Sequence, residues 1–198
     1  MNILIIGATG SIGKAVTHKL VNEYNVNLTL FSRKATTLPK LDNVSRINGD
    51  VMNYNDLKFA MNNIDTVFIA LIGDLPAMIK NIVRVVIDTS VKKIVFIASM
   101  GIYNEIPDTI GAMGNVKFNA MLKPYQEAAK IIENSDLNYT IIRPAWFDNG
   151  DDEYEITAKG SPFGGHNVSR NAIADLASKT LTNLNYANHE SLGINRPE

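Results

Sequence analysis

The sequence predicts an α/β protein, a doubly wound parallel sheet forming a single domain. Three observations predict it. Short apolar runs recur along the 198 residues, with helix-length segments between them. Three of those runs (Ile3-Leu4-Ile5-Ile6, Val67-Phe68-Ile69-Ala70 and Ile94-Val95-Phe96-Ile97) are continuously apolar, as suits a strand covered by helices on both faces rather than one. The first run passes straight into a glycine-rich turn and a helix, the opening of a strand–helix–strand unit whose crossovers are right-handed.

In chain order, strands are expected at 2–6, 26–31, 44–47, 66–71, 93–98 and 139–143. Ile12, Ala15, Val16, Lys19 and Leu20 share one face of the first helix, with the Lys19 stem lying along the stripe and its charge in water. Residues 32–43 contain Pro39 and little periodicity, so a loop or short helix links the second and third strands. Leu75, Met78, Ile79, Ile82, Val83 and Val86 form the stripe of an amphipathic helix over 75–89, apolar enough for either core or a dimer face. Phe118, Met121, Leu122, Tyr125, Ala129 and Ile132 form a second such stripe. After Pro144 the texture is turn-rich at 148–153 and 160–165, with a short strand at 154–157 between. A last helix follows near 170–184. The chain has no internal repeat and no linker.

Composition excludes several classes of function. Apolar residues at 45% and charged residues at 20% describe a globule that buries a core without staples. Nineteen basic against 20 acidic residues leave a net charge of −1, without the basic excess that nucleic acid or an anionic membrane surface demands. The absence of cysteine excludes thiolate metal sites, cysteine nucleophiles and disulfides. His18, His166 and His189 stand alone, without ligand spacing, and the acidic run at 148–153 lacks the spacing of a calcium loop, so no metal is expected. The apolar runs are far shorter than the roughly 20 residues of a membrane span, and no basic, apolar leader opens the chain. The expectation is a soluble, cytoplasmic protein, monomer or homodimer, acting on a small molecule.

The chemistry begins at Gly7-Ala8-Thr9-Gly10-Ser11-Ile12-Gly13, between the first strand and a helix starting at about Ser11. Glycine lets backbone approach a pyrophosphate, and the helix N-terminus turns unpaired N–H groups and a positive dipole end toward it. The context, more than the triplet, identifies the dinucleotide-binding form of the doubly wound sheet, the Rossmann fold. A tight turn without a ligand is the alternative. An NAD binder places a carboxylate at the end of its second strand; here stand Ser32, Arg33 and Lys34, a hydroxyl and two cations suited to a 2′-phosphate. NADP is therefore expected over NAD.

With these motifs in place, the chain resembles an atypical short-chain dehydrogenase/reductase of the NmrA-like, NAD(P)H-binding group, which includes flavin and biliverdin reductases. The resemblance covers essentially the whole chain. It rests on the three glycines, Ser32-Arg33, Gly49-Asp50-Val51, Ile97-Ala98-Ser99-Met100-Gly101 and Tyr139-Thr140-Ile141-Ile142-Arg143-Pro144. It implies that Asp50 and Val51 meet the adenine, that Ala70, Leu71 and Ile72 line its ribose, and that Pro144-Ala145-Trp146 approaches the nicotinamide. Asp50 as cap of a helix starting near Tyr54, and Pro144 as a mere strand end, are the structural alternatives.

The same resemblance implies a Ser at the end of the fifth strand, matched by Ser99, and a Tyr with a Lys four residues on. That pair is missing. Alignment back from Arg143-Pro144 sets it on Met121 and Tyr125, or one turn later on Tyr125 and Ala129. The literal match Tyr54–Lys58 follows the third strand, on the adenosine side, and reads as coincidence. Tyr125 and Tyr103 are left as candidate proton donors, Tyr125 also fitting the core stripe. Residues 146–166, with Trp146, Phe147 and Phe163, are expected to form a substrate wall or lid. An NADP(H)-dependent reductase of a small conjugated acceptor is the leading expectation. A non-catalytic NADP(H) sensor comes second and an epimerase third.

Overall fold

The computed structural model describes residues 1–198. Ile3 to Ile6 of β1 (Asn2–Ile6) are buried on both faces, which sets this strand inside the sheet. The turn after it leads into α1 (Ser11–Glu23), β2 (Asn27–Ser32), β3 (Val44–Asn48), α2 (Tyr54–Ala60), β4 (Thr66–Ile69), α3 (Leu75–Ile87) and β5 (Lys93–Ile97). A long loop with two single helical turns, Ala112–Gly114 and Ala120–Leu122, precedes α4 (Lys123–Glu133). There follow β6 (Tyr139–Pro144), β7 (Trp146–Asp148), β8 (Glu155–Thr157), β9 (Asn167–Ser169), α5 (Arg170–Thr182) and β10 (Glu190–Asn195). The main sheet has eight strands in the order β3-β2-β1-β4-β5-β6-β10-β8, while β7 and β9 pair separately. Only β8 runs antiparallel to its neighbour in the main sheet.

Alternation along each strand divides the core into two layers. Ile3, Ile5, Leu28, Leu30, Phe68, Val95 and Ile142 face α1 and α5, meeting Val16, Leu20, Ile173 and Leu176. Leu4, Ile6, Phe31, Val67, Ile69, Phe96 and Ile141 face the other way, onto Leu57 of α2, Ile79 and Ile82 of α3, and Ala129 and Ile132 of α4. This is the doubly wound arrangement, with the order reversing between β1 and β4. Side-chain caps start three helices: Asn53 accepts from Asn55 and Asp56 N–H, Asp74 from Ala77, and Ser169 from Ala172.

The first six strands fall within a residue or two of their expected bounds, and the single turn Ala35–Thr37 is the short helix of the second link. Lys19 lies along its stripe and ends in ion pairs with Glu23 at 2.8 Å and Asp175 at 3.1 Å. The apolar face of α3 belongs to the core: Leu75, Ile79, Ile82, Val85 and Val86 are buried, and Lys80 and Arg84 face outward.

Two expectations need correction. The stripe begun at Phe118 is not one helix; α4 starts at Lys123, and Phe118 and Met121 are 54% and 82% exposed. Pro124 lacks the N–H that a helix begun at 118 would need at that point, and it sits in the first turn, where none is needed. The sequence reading also lacks β7, β9 and β10. The first two are three residues each. In β10 the apolar signal is broken by Ser191 and Gly193; a Cβ at Gly193 would lie 2.7 Å from the Phe163 ring.

Candidate functional site

Doubly wound sheets bind their ligands in a crevice beyond the carboxyl ends of the strands where the order reverses, here between β1 and β4, and the glycine turn follows β1 at that end. Gly7 has φ +86°, and a Cβ there would sit 1.9 Å from the Ala70 carbonyl oxygen. A Cβ at Gly13 would sit 2.4 Å from the Gly7 carbonyl. These two glycines serve close packing of strand, turn and helix. Gly10 is exposed, and a Cβ there would meet only the Gly7 carbonyl, at 3.3 Å. Backbone bonding in α1 begins with Lys14 N–H to the Gly10 carbonyl at 2.9 Å, leaving the amides of Ser11, Ile12 and Gly13 without backbone partners. Gly10 caps the helix without a side chain, and no carboxylate occupies the first turn. The positive end of α1 is thus open toward Thr9, Gly10 and Ser11, a local geometry that suits an anion.

Ser32 ends β2, and Arg33 and Lys34 beyond it are exposed. The Ser32 hydroxyl accepts from Lys34 N–H at 3.3 Å. Two residues that sequence reasoning passed over brace this basic turn. Asn48 exchanges two hydrogen bonds with Thr36, both 2.9 Å, and the Arg46 guanidinium donates to the Thr36 and Leu38 carbonyls. No local pattern marks them, because their partners lie in the link before β3, at and just after the turn Ala35–Thr37. Gly49 N–H bonds the Ser32 carbonyl at 3.1 Å, which brings Asp50 and Val51 beside the end of β2. Asp50 does not cap α2, since Asn53 does; the Asp50 carboxylate accepts from Met52 N–H at 2.9 Å. Val51 is buried. Ala70 and Leu71 lie just past β4, half-buried against Gly7, and Ile72 projects into solvent.

Ser99 is half-buried just past β5. It is flanked by two bonds to β6: Ala98 N–H to the Ile142 carbonyl at 2.8 Å and Met100 N–H to the Pro144 carbonyl at 3.0 Å. Ser99 and Pro144 therefore lie side by side at the carboxyl ends of β5 and β6, and Pro144 is also the last residue of its strand. Behind them Gly101 has φ +82°, and a Cβ there would lie 2.6 Å from the Gly114 carbonyl and 3.1 Å from Leu122. The two helical turns of the long loop thus fold back over the residues that follow Ser99.

Tyr125 stands in the first turns of α4, half-buried, and burial alone holds its phenol above the usual range. Tyr103 is differently placed. Its hydroxyl donates to Glu133 in the last turn of α4, and its ring lies against the Lys159 ammonium at 4.4 Å and the Arg143 guanidinium at 5.2 Å. Burial first, then that carboxylate, pushes its phenol far up. The hydroxyl is committed to Glu133, so the structure does not bring Tyr103 to the crevice as a proton donor. Tyr54 and Lys58 do touch, at 3.2 Å, but Tyr54 donates to Asp88 after the end of α3, at the amino end of the sheet. The two registers of the dehydrogenase motif put Met121 with Tyr125 and Tyr125 with Ala129, so neither supplies a tyrosine–lysine pair; Met121 is exposed and Ala129 is in the core.

The segment after β6 is anchored along its length. Arg196 binds the Asp148 carboxylate at 2.9 Å, Arg170 donates to the Asp148 carbonyl at 2.8 Å, and Ser169 donates to Asp152. Trp146, 68% exposed, and Phe147, against which Arg170 stacks at 5.0 Å, follow the carboxyl end of β6.

Comparison with known proteins agrees with this architecture. A Rossmann-fold NAD(P)-binding family protein from Shigella flexneri is 34% identical, over 99% of this chain and 93% of its own, with a TM-score of 0.85. A short-chain dehydrogenase/reductase from Veillonella parvula, solved in complex with NADP, superposes with a TM-score of 0.91 at 24% identity, covering 99% and 94% of the two chains. An anaerobillin reductase from Escherichia coli O157:H7 shares the fold, with a TM-score of 0.84 at 16% identity over 100% and 98%. No curated relative matches. The NAD(P)H-binding family model matches residues 7–184, from the first glycine of the turn to just past the last helix, and the chain belongs to that family.

Proposed function

We propose that the protein is an NADP(H)-dependent reductase that transfers hydride to a small conjugated acceptor of the flavin, quinone or carbonyl type. The observation that carries this reading is the open positive end of α1 beside a β2 end that bears Arg33 and Lys34 and no carboxylate. The amides of Ser11, Ile12 and Gly13 would receive the pyrophosphate, with Gly7, Thr9 and Gly10 giving it room. Ser32, Arg33 and Lys34 would hold the 2′-phosphate, Asp50 and Val51 the adenine, and Ala70, Leu71 and Ile72 its ribose. Bound NADPH supplies the hydride. Ser99 and Pro144 would flank the nicotinamide on the acceptor side. The Ser99 hydroxyl would orient the acceptor, and Tyr125 is the candidate proton donor, a phenol that burial makes a weaker acid than a free one. Residues 146–166 form the wall on the acceptor side. An acceptor that delocalises the incoming charge needs little acid catalysis, which suits a site without a Tyr–Lys pair.

The missing pair also supports a second reading, a dinucleotide sensor without turnover. The epimerase reading falls behind, because that chemistry leans on the pair this chain lacks. NADPH oxidation followed at 340 nm against flavins, quinones and aldehydes separates the readings. Turnover with at least one acceptor is expected; tight NADP binding with no turnover would support the sensor.

A further inference from the structure

Arg143 is the largest fully buried side chain in the protein, and nothing in the proposed hydride transfer uses it. Its guanidinium pairs with Glu105, the two side chains 0% and 2% exposed. Its Nε donates to the Ser191 hydroxyl at 3.0 Å, and its Nη2 to the Ser191 and Thr157 carbonyls at 3.2 and 3.4 Å. The rings of Tyr103 and Phe163 lie on it at 5.2 and 5.4 Å. Glu105 is equally engaged: its second carboxylate oxygen accepts from Tyr103 N–H at 2.8 Å, and its carbonyl from Phe163 N–H at 3.1 Å. The pair therefore joins four segments: the loop after Ser99, β6, the stretch from β8 to Phe163, and β10.

A buried ion pair contributes little net stability, because desolvation offsets the attraction, and apolar residues of similar volume often replace it without loss. It supplies direction: a planar fork making four hydrogen bonds to fixed acceptors. We propose that Glu105 and Arg143 are positioning residues, holding the Ser99 loop and the segment after Trp146 as the two fixed walls of one preformed acceptor site. On this view the wall is not a lid, and acceptors are selected by a rigid shape. The inference rests on the proposed reductase reading for its kinetic consequence alone.

The test is the paired variant E105L/R143M, with Arg143→Lys beside it. In E105L/R143M the midpoint of urea unfolding is expected to match or exceed that of the wild type. NADPH affinity by calorimetry should stay within about twofold, while kcat with the best acceptor falls about tenfold or more. Amide exchange at Tyr103 and Phe163 should accelerate about a hundredfold, with α1 unchanged. Arg143→Lys keeps the charge but loses the fork, and should speed exchange at the same two amides. Wild-type protection there in either folded variant, or a paired variant with wild-type kcat, overturns the proposal. A wild-type protein that binds NADPH but reduces no acceptor refutes the reductase reading instead, and the exchange comparison then decides the positioning role alone.

Discussion

Gly7 and Gly10 lie in one turn but answer to different constraints, and the two separate by experiment. Gly7 combines φ +86° with a Cβ position 1.9 Å from a backbone oxygen, so Gly7→Ala should destabilise the fold by about 3 kcal/mol. A lower urea midpoint at unchanged slope would show it. Gly10 is exposed, and Gly10→Val should leave that midpoint near wild type while abolishing dinucleotide binding in calorimetry. Unchanged affinity would place the dinucleotide elsewhere. Arg33→Asp should weaken NADP by about 10- to 100-fold, the worth of one charge-assisted hydrogen bond, and spare NAD; equal losses for both would undo the 2′-phosphate assignment. These residues were legible in the sequence because their signal is local: a residue type at a set distance from a strand end. Tyr103 was not. Its sequence position after Ser99 suggested the crevice, and only the fold shows its hydroxyl taken by Glu133, 30 residues on.

At the scale of the element, periodicity identified α1 and α3 and overextended α4. Phe118 and Met121 continue the spacing of Ala129 and Ile132, yet Pro124 restarts the helix and leaves them in solvent. Ile132→Ala should therefore cost about 2–5 kcal/mol, whereas Phe118→Glu and Met121→Glu should each change the unfolding free energy by less than about 0.5 kcal/mol. A large loss at 118 or 121 would restore the continuous helix. The strand β10 was illegible for the opposite reason. Ser191 and Gly193 interrupt its apolar pattern because they serve the Arg143 guanidinium and the Phe163 ring.

The whole molecule adds a feature that no single element holds. Thr66 and Lys93 are partners in register at the amino ends of β4 and β5, Asn138 lies next across the sheet, and Asn188 precedes β10 beyond it. The side-chain oxygens of Thr66, Asn138 and Asn188 are buried without partners, and the Lys93 ammonium reaches only the Tyr186 carbonyl. Burial lowers Lys93 to about 8 from its ordinary 10.5, partly opposed by the charge of Glu190. Between those values the unfolded chain holds a proton here that the folded chain has lost, so this group makes stability rise with pH. Lys93→Met should consequently stabilise the protein more at pH 7 than at pH 10, measured by urea unfolding at both. An equal gain at both would mean that the ammonium is already well solvated in the folded state.

By itself the sequence determined the sheet's first six strands, the glycine turn and the basic end of β2, since continuous apolar runs and glycine spacing express forces acting within a few residues. Only the tertiary structure decided that α3 is core, that β10 extends the sheet, and that Arg143 reaches Glu105 and Ser191, 38 and 48 residues away. Those outcomes depend on which surfaces meet after the chain has folded back on itself, and such meetings leave no periodicity in the chain to read.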